Sequence, residues 1–180
     1  PKFEDAVTSY TNARYGVAIN SGTAALHIAC QALGLGPGDI LWTTPNSFVA
    51  SANCGLYCGA SVDFVDIELE SGLMSPIALE EKLINAKKTG RLPKVVIPVH
   101  FAGQSCDMQA VQILSQQYGF RVIEDACHAL GGLFDGKPVG CCEYSDIATF
   151  SFHPAKAITT AEGGMAVTNN DKIAKWMKKF

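Results

Sequence analysis

The run Lys94-Val-Val-Ile-Pro-Val-His-Phe101 decides the fold class. From Val95 to Val99 it is unbroken in apolar residues and rich in β-branched ones. A strand with one face in water alternates apolar and polar positions, and a strand covered on both faces does not. The run therefore predicts a strand at 94–101 lying between two helical layers. Six further runs read as strands around it, at 16–19, 40–44, 61–66, 121–125, 147–152 and 164–168. Helical patterns fill most of the gaps, at 3–14, 23–33, 47–57, 76–88, 107–118 and 171–180. Their punctuation is specific. Ser75 and Pro76 open one helix and Gly90 stops it; Asp107 opens another and Gly119 stops it. The small residues Ser21-Gly22-Thr23 open a third, which Gly34 ends. The alternation predicts an α/β chain, a three-layer α/β/α sandwich around a mostly parallel seven-stranded sheet.

Composition narrows the function classes. The chain has 180 residues, 48% of them hydrophobic, only 17% charged, with a net charge of −3. A domain of this size buries around 70% of its unfolded surface, so its core needs neither disulfide nor metal. The charge balance excludes the basic footprint of a nucleic-acid binder, and the apolar content excludes disorder. No apolar run is long enough to span a membrane, and Pro1-Lys-Phe-Glu-Asp5 does not form a signal peptide. Seven cysteines, an odd number with no CxxC pair, read as reduced thiols of a cytoplasmic protein and not as a zinc site or disulfide framework. The low charge predicts a surface partly covered by something else. The chain begins in one helix, a start that a cut or methionine removal before Pro1 would both give, and stops in an amphipathic helix without a capping glycine, which is the stronger sign of a cut end.

In a parallel sheet, ligands bind beyond the carboxyl ends of the strands. Four groups stand at such positions. Ile19-Asn-Ser-Gly-Thr-Ala-Ala25 runs from a strand through small residues into a helix, where free N–H groups and the dipole can cradle a phosphate; an ordinary Ser or Thr cap reads the same way. Arg121-Val-Ile-Glu-Asp-Ala-Cys-His128 ends an apolar strand on a carboxylate, Asp125, with His128 three residues on; a capping Asp and a core His are equally compatible. Thr149-Phe-Ser-Phe-His-Pro-Ala-Lys156 places a lysine in an apolar stretch. Desolvation there lowers a lysine pKa and makes the amine an imine former, whereas a snorkelling lysine does neither. Thr43-Thr-Pro-Asn-Ser-Phe48 puts an aromatic at a helix start, able to stack on a planar ring or to fill the core.

Taken together, the four groups supply a lysine, a carboxylate, an aromatic face and a phosphate cradle. Those are the needs of pyridoxal phosphate: an imine partner, a group that keeps the ring nitrogen protonated, a stacking surface and an anion site.

Four segments carry a closer likeness: Ser21-Gly-Thr-Ala-Ala-Leu26, Thr44-Pro-Asn-Ser-Phe-Val-Ala-Ser51, Glu124-Asp-Ala-Cys-His-Ala-Leu-Gly131 and Ser151-Phe-His-Pro-Ala-Lys-Ala-Ile-Thr-Thr-Ala-Glu-Gly-Gly164. Through them the chain resembles the nucleotide-sugar aminotransferases of the DegT/StrS type, which have the fold type I architecture of pyridoxal phosphate enzymes. The likeness leans toward the branch that serves pseudaminic acid biosynthesis, because His128 stands where many relatives carry glutamine. The resemblance implies that Lys156 bonds the cofactor's aldehyde and then acts as the catalytic base. It implies that Asp125 pairs with the pyridinium nitrogen, His128 sits near the 3′ oxygen, Phe48 stacks on the ring, and Gly22, Thr23 and Ser151 hold the phosphate. It also implies L-glutamate as amino donor, a 4-keto sugar linked to a nucleotide as acceptor, and a homodimer. On this reading residues 1–180 are the cofactor-binding large domain, with the small C-terminal domain beyond Phe180. Relatives that dehydrate sugars replace the lysine with histidine, so Lys156 argues against that activity. Two alternatives remain: a module that binds cofactor or partner without turnover, and an unrelated doubly wound binding protein in which Lys156 is only structural.

Overall fold

The computed structural model describes residues 1–179. Chain order begins α1 (Lys2–Thr11), β1 (Tyr15–Ile19), α2 (Gly22–Ala32), β2 (Ile40–Thr43), α3 (Ala50–Tyr57) and β3 (Ser61–Phe64). It continues with α4 (Pro76–Thr89), β4 (Val95–Ile97), α5 (Met108–Tyr118), β5 (Arg121–Asp125), β6 (Leu133–Phe134) and β7 (Lys137–Pro138). Last come β8 (Ile147–Ser151), β9 (Gly164–Thr168) and α6 (Asp171–Met177).

Seven strands form one sheet in the order β1-β9-β8-β5-β4-β2-β3. The pairs β2–β3, β2–β4, β4–β5 and β5–β8 are parallel. β9 runs antiparallel to both of its neighbours, β8 and β1. So β1, β2, β3, β4, β5 and β8 all point the same way, and their carboxyl ends share one edge.

Burial on both faces follows the one-residue alternation of strand side chains. Leu41, Val95, Ile97, Ile123 and Ile147 face a cluster that includes Leu26 and Ile28 of α2, Cys54 of α3 and Ile173 of α6. Trp42, Val96 and Val122 face the opposite cluster, with Leu79 and Leu83 of α4 and Val111 and Leu114 of α5. A third cluster seats Val7 of α1 against Phe150 and Met165. The helix signals hold in detail. Ser21, Ser75 and Asp107 accept from the backbone N–H groups of Ala24, Ala78 and Ala110. Gly90 (φ 68°) and Gly119 (φ 82°) end their helices in the left-handed region that glycine adopts without strain.

Some boundaries differ from the sequence reading. β4 is three residues long, because Pro98 has no N–H to give the ladder and the chain then turns through a 3₁₀ turn at Phe101–Gly103. α3 starts at Ala50, so Ser47 and Phe48 lie in the turn before it. α1 stops at Thr11, where Asn12 turns left-handed at φ 59°. The short hairpin of β6 and β7 has no counterpart in the sequence reading. The final helix covers Asp171–Met177; the expectation that it reaches Phe180 falls outside the described residues. All seven cysteines are free thiols, four of them buried. Among the described residues, no helix is long and apolar enough to cross a membrane.

Candidate active site

The shared carboxyl edge of the sheet opens into a pocket of about 430 Å³, a size suited to a small-molecule cofactor. All seven residues singled out from the sequence line it: Gly22, Thr23, Phe48, Asp125, His128, Ser151 and Lys156. They arrive from the ends of four strands, β1, β2, β5 and β8.

Asp125 is buried on the floor, only 5% exposed. Its Oδ2 accepts from Ser51 Oγ at 2.6 Å and its Oδ1 accepts from the Cys127 N–H at 3.2 Å. Each carboxylate oxygen keeps a lone pair for a further donor. Ser51 Oγ also lies 2.6 Å from Ser47 Oγ, which extends the chain of hydroxyls toward the pocket rim. Burial, then the Asp125 carboxylate, push the Cys127 thiol well above its ordinary value, so this sulfur is a neutral wall and not a nucleophile.

α2 begins at the pocket. A Cβ at Gly22 would lie 2.7 Å from Ser151 Cβ and 3.2 Å from Cys127 Sγ, so only glycine lets this helix start close on β8. A Cβ at Gly164 would overlap the Ser21 carbonyl oxygen and sit 2.8 Å from Gly22 N. Gly164 thus lets β9 press against the start of α2. The helix N-terminus, with the hydroxyl-bearing residues Thr23 and Ser151 in the same lining, could hold an anion.

Lys156 joins the lining from the loop after β8, its backbone N–H donating to the His153 carbonyl at 2.9 Å. The sequence reading expected desolvating, apolar surroundings for this lysine. The structure corrects that: the lysine is half-buried, while every other residue from 153 to 162 is exposed, Ile158 at 59%. His128 is exposed in the same lining. Partial burial, and then the nearby Lys156 ammonium, hold its pKa below the ordinary value, against the opposing pull of Asp125. Phe48 is 70% exposed, so it is no core residue and its ring face is free to stack.

Ser51, His100 and Cys127 also belong to this neighbourhood and carried no signal of their own. Ser51 lay inside the quoted segment Thr44–Ser51 and could be found only through its bond to Asp125.

A mostly parallel seven-stranded α/β sheet of this kind matches the structures of pyridoxal-phosphate-dependent aminotransferases. The sequence model of the DegT/DnrJ/EryC1/StrS aminotransferase family matches residues 1–180, and the chain belongs to that family. It is 39% identical over 98% of its length to 45% of the UDP-4-amino-4,6-dideoxy-N-acetyl-beta-L-altrosamine transaminase of Campylobacter jejuni. Helicobacter pylori PseC, an aminotransferase of pseudaminic acid biosynthesis, superposes with a TM-score of 0.90 at 35% identity, over 99% of this chain and 46% of that one. Bacillus subtilis NtdA, solved with bound cofactor PMP, superposes with a TM-score of 0.87 at 34% identity, over 99% of this chain and 39% of that one. The chain thus spans under half the length of the relatives it matches.

Proposed function

We propose that the full-length protein is a pyridoxal-phosphate-dependent aminotransferase of the cytoplasm. It moves an amino group from L-glutamate to a 4-keto sugar linked to a nucleotide, in the making of pseudaminic acid or a related surface sugar. The observation that carries this reading is the convergence of Lys156, buried Asp125 and the start of α2 on one pocket. Pyridoxal phosphate, when bound, supplies an aldehyde for imine exchange and a ring that takes up the electron pair left when a Cα–H proton departs.

The pocket residues fit that group. Gly22, Thr23 and Ser151 would hold its phosphate at the α2 N-terminus. Asp125, with a lone pair still open, would keep a proton on the ring nitrogen. Phe48 would offer a face for stacking and His128 a hydrogen-bonding partner for the 3′ oxygen. Lys156 would hold the group through Nζ and, as a free amine, would take up the donor's Cα proton and give it back in the second half of the exchange. A second copy of the chain closes the open mouth.

Borohydride reduction of the full-length protein followed by peptide mapping tests the assignment. The expected outcome is a phosphopyridoxyl mass on the peptide bearing Lys156, and formation of 2-oxoglutarate when the unreduced protein meets L-glutamate. A label on another lysine, or none, refutes the role of Lys156; a label without 2-oxoglutarate refutes the donor.

A further inference from the structure

The chemistry above leaves one buried polar cluster unused. His100 follows β4, is fully buried at 0% exposure, and forms part of the pocket lining. Its Nε2 lies 2.9 Å from Oε2 of Glu124, and Ser145 Oγ donates to the other carboxylate oxygen, Oε1. Its Nδ1 accepts from the Cys106 N–H at 3.1 Å. Burial works against a second ring proton, while the Cys106 side chain and the Glu124 carboxylate work for it. Such a proton would have to displace the Cys106 amide from Nδ1, and the thiol itself points to the Val99 carbonyl at 3.2 Å. The geometry therefore fixes the neutral tautomer, with Nε2–H donating to Glu124. A carboxylate buried this deeply is unfavourable unless fully paired, so its pairing calls for a reason.

The backbone supplies one. The β4–β5 ladder pairs Val95 with Arg121 and Val96 with Val122. Pro98 then has no N–H to continue it. Pairing resumes only as an isolated bridge between Val99 and Asp125. There the Asp125 N–H donates to the Pro98 carbonyl and the His100 N–H to the Asp125 carbonyl, both at 3.0 Å. His100 and Glu124 adjoin this resumed pairing on the two strand ends. A little further on, Gly103 (φ 90°) passes so close to His128 that a Cβ would lie 2.9 Å from its carbonyl oxygen. Residues 99–103 are thus the wall against which both Asp125 and His128 rest.

We propose that His100 and Glu124 form a positioning clamp. The pair locks residues 99–103 onto β5 beyond the interruption at Pro98, and so fixes Asp125 and His128 in the pocket. Its consequence for cofactor binding rests on the functional reading above; the clamp itself does not.

The test uses Glu124→Ala, Glu124→Gln and Ser145→Ala in the full-length protein. Glutamine keeps an oxygen for the His100 Nε2–H, and alanine does not. Hydrogen exchange is followed in the cofactor-free protein, and affinity for pyridoxal phosphate is read from the bound-cofactor absorbance. Glu124→Ala is expected to speed exchange at 99–103 and 125–128 by about tenfold or more, with β1 and β9 unchanged, and to weaken cofactor affinity by about as much. Glu124→Gln is expected to stay within about threefold of the parent on both readouts. Should Glu124→Ala not fold, Ser145→Ala carries the same local expectation at about threefold. Unchanged exchange at both segments, or a rise spread evenly over the sheet, overturns the clamp. A local rise in a protein whose parent binds no pyridoxal phosphate upholds the clamp and overturns the functional reading instead.

Discussion

His128 stands on the pocket wall with Lys156 near enough to suppress its protonation. Partial burial acts first, the lysine charge second, and Asp125 opposes both. A histidine with a depressed folded pKa binds fewer protons than its unfolded counterpart once the pH drops below about 6.5. Its contribution to stability is therefore whole above that pH and is lost as the pH falls toward the folded pKa. The ring is largely exposed, so solvent screening keeps the effect small. In thermal melts from pH 8 to pH 5, His128→Gln is expected to gain on the parent only below about pH 6.5. A difference that is flat with pH removes the proposed coupling to Lys156. At this scale the sequence was legible wherever a residue type was chemically odd for its surroundings. A lysine in Ser-Phe-His-Pro-Ala-Lys156 and a carboxylate closing an apolar strand are such cases. Ser51 and His100 were not, because a serine opening a helix and a histidine ending an apolar run are ordinary. Their partners lie 74 residues away for Ser51 and 24 for His100, and only the folded sheet brings them together.

Elements with chemical punctuation could be placed from sequence almost to the residue. Ser75-Pro76 and Gly90, or Asp107 and Gly119, mark real caps because the cap side chain and the left-handed glycine are local physics. β4 was overextended for the opposite reason. Its apolar run reports burial, and burial continues through Val99 and His100, whereas the ladder stops at Pro98. The loop between β8 and β9 was left without detail, and it holds the strained residue Ala161, at φ 67°. The left-handed region costs a non-glycine residue about 1–2 kcal/mol, while glycine's freer unfolded chain gives back about 0.4–1 kcal/mol. Ala161→Gly is therefore expected to stabilise the protein by about 0.5–1 kcal/mol, a rise of roughly 1–4 °C in melting temperature for a domain this size. Ala157 lies on the same loop without a positive φ. Ala157→Gly is expected to destabilise, so a shift of the same sign in both melts would show that loop strain is not the cause.

For the molecule as a whole, the reading of a sheet covered on two faces was secure, because the alternation of Leu41 with Trp42 and of Val95 with Val96 feeds two separate clusters. What covers the outside could not be read, since a partner's surface leaves no periodicity in the chain. The low charge, 17%, is the sequence feature that suggested such a cover. Phe48 is 70% exposed, Val49 56% and Ile158 59%. Phe48 lines the pocket, and Ile158 stands two residues beyond Lys156, so these apolar groups belong to the segments that frame its mouth. Single exposed apolar residues mean little, whereas several around one functional opening mark a contact surface. Further chain or a second copy can supply the cover, and the two differ in concentration dependence. Sedimentation velocity on the full-length protein is expected to show a dimer at micromolar concentration. Stable interfaces of this kind bury about 1,200–2,000 Å² or more, and an unpaired carboxylate inside one costs about 3–5 kcal/mol, a factor of roughly 150 to a few thousand in dissociation constant. Ile158→Glu is accordingly expected to dissociate the dimer at concentrations where the parent is fully paired. It is also expected to lower cofactor occupancy, because the pocket mouth is then open to water. A parent that sediments as a monomer throughout, or an Ile158→Glu protein as tightly paired as the parent, assigns the apolar rim to cover within the same chain.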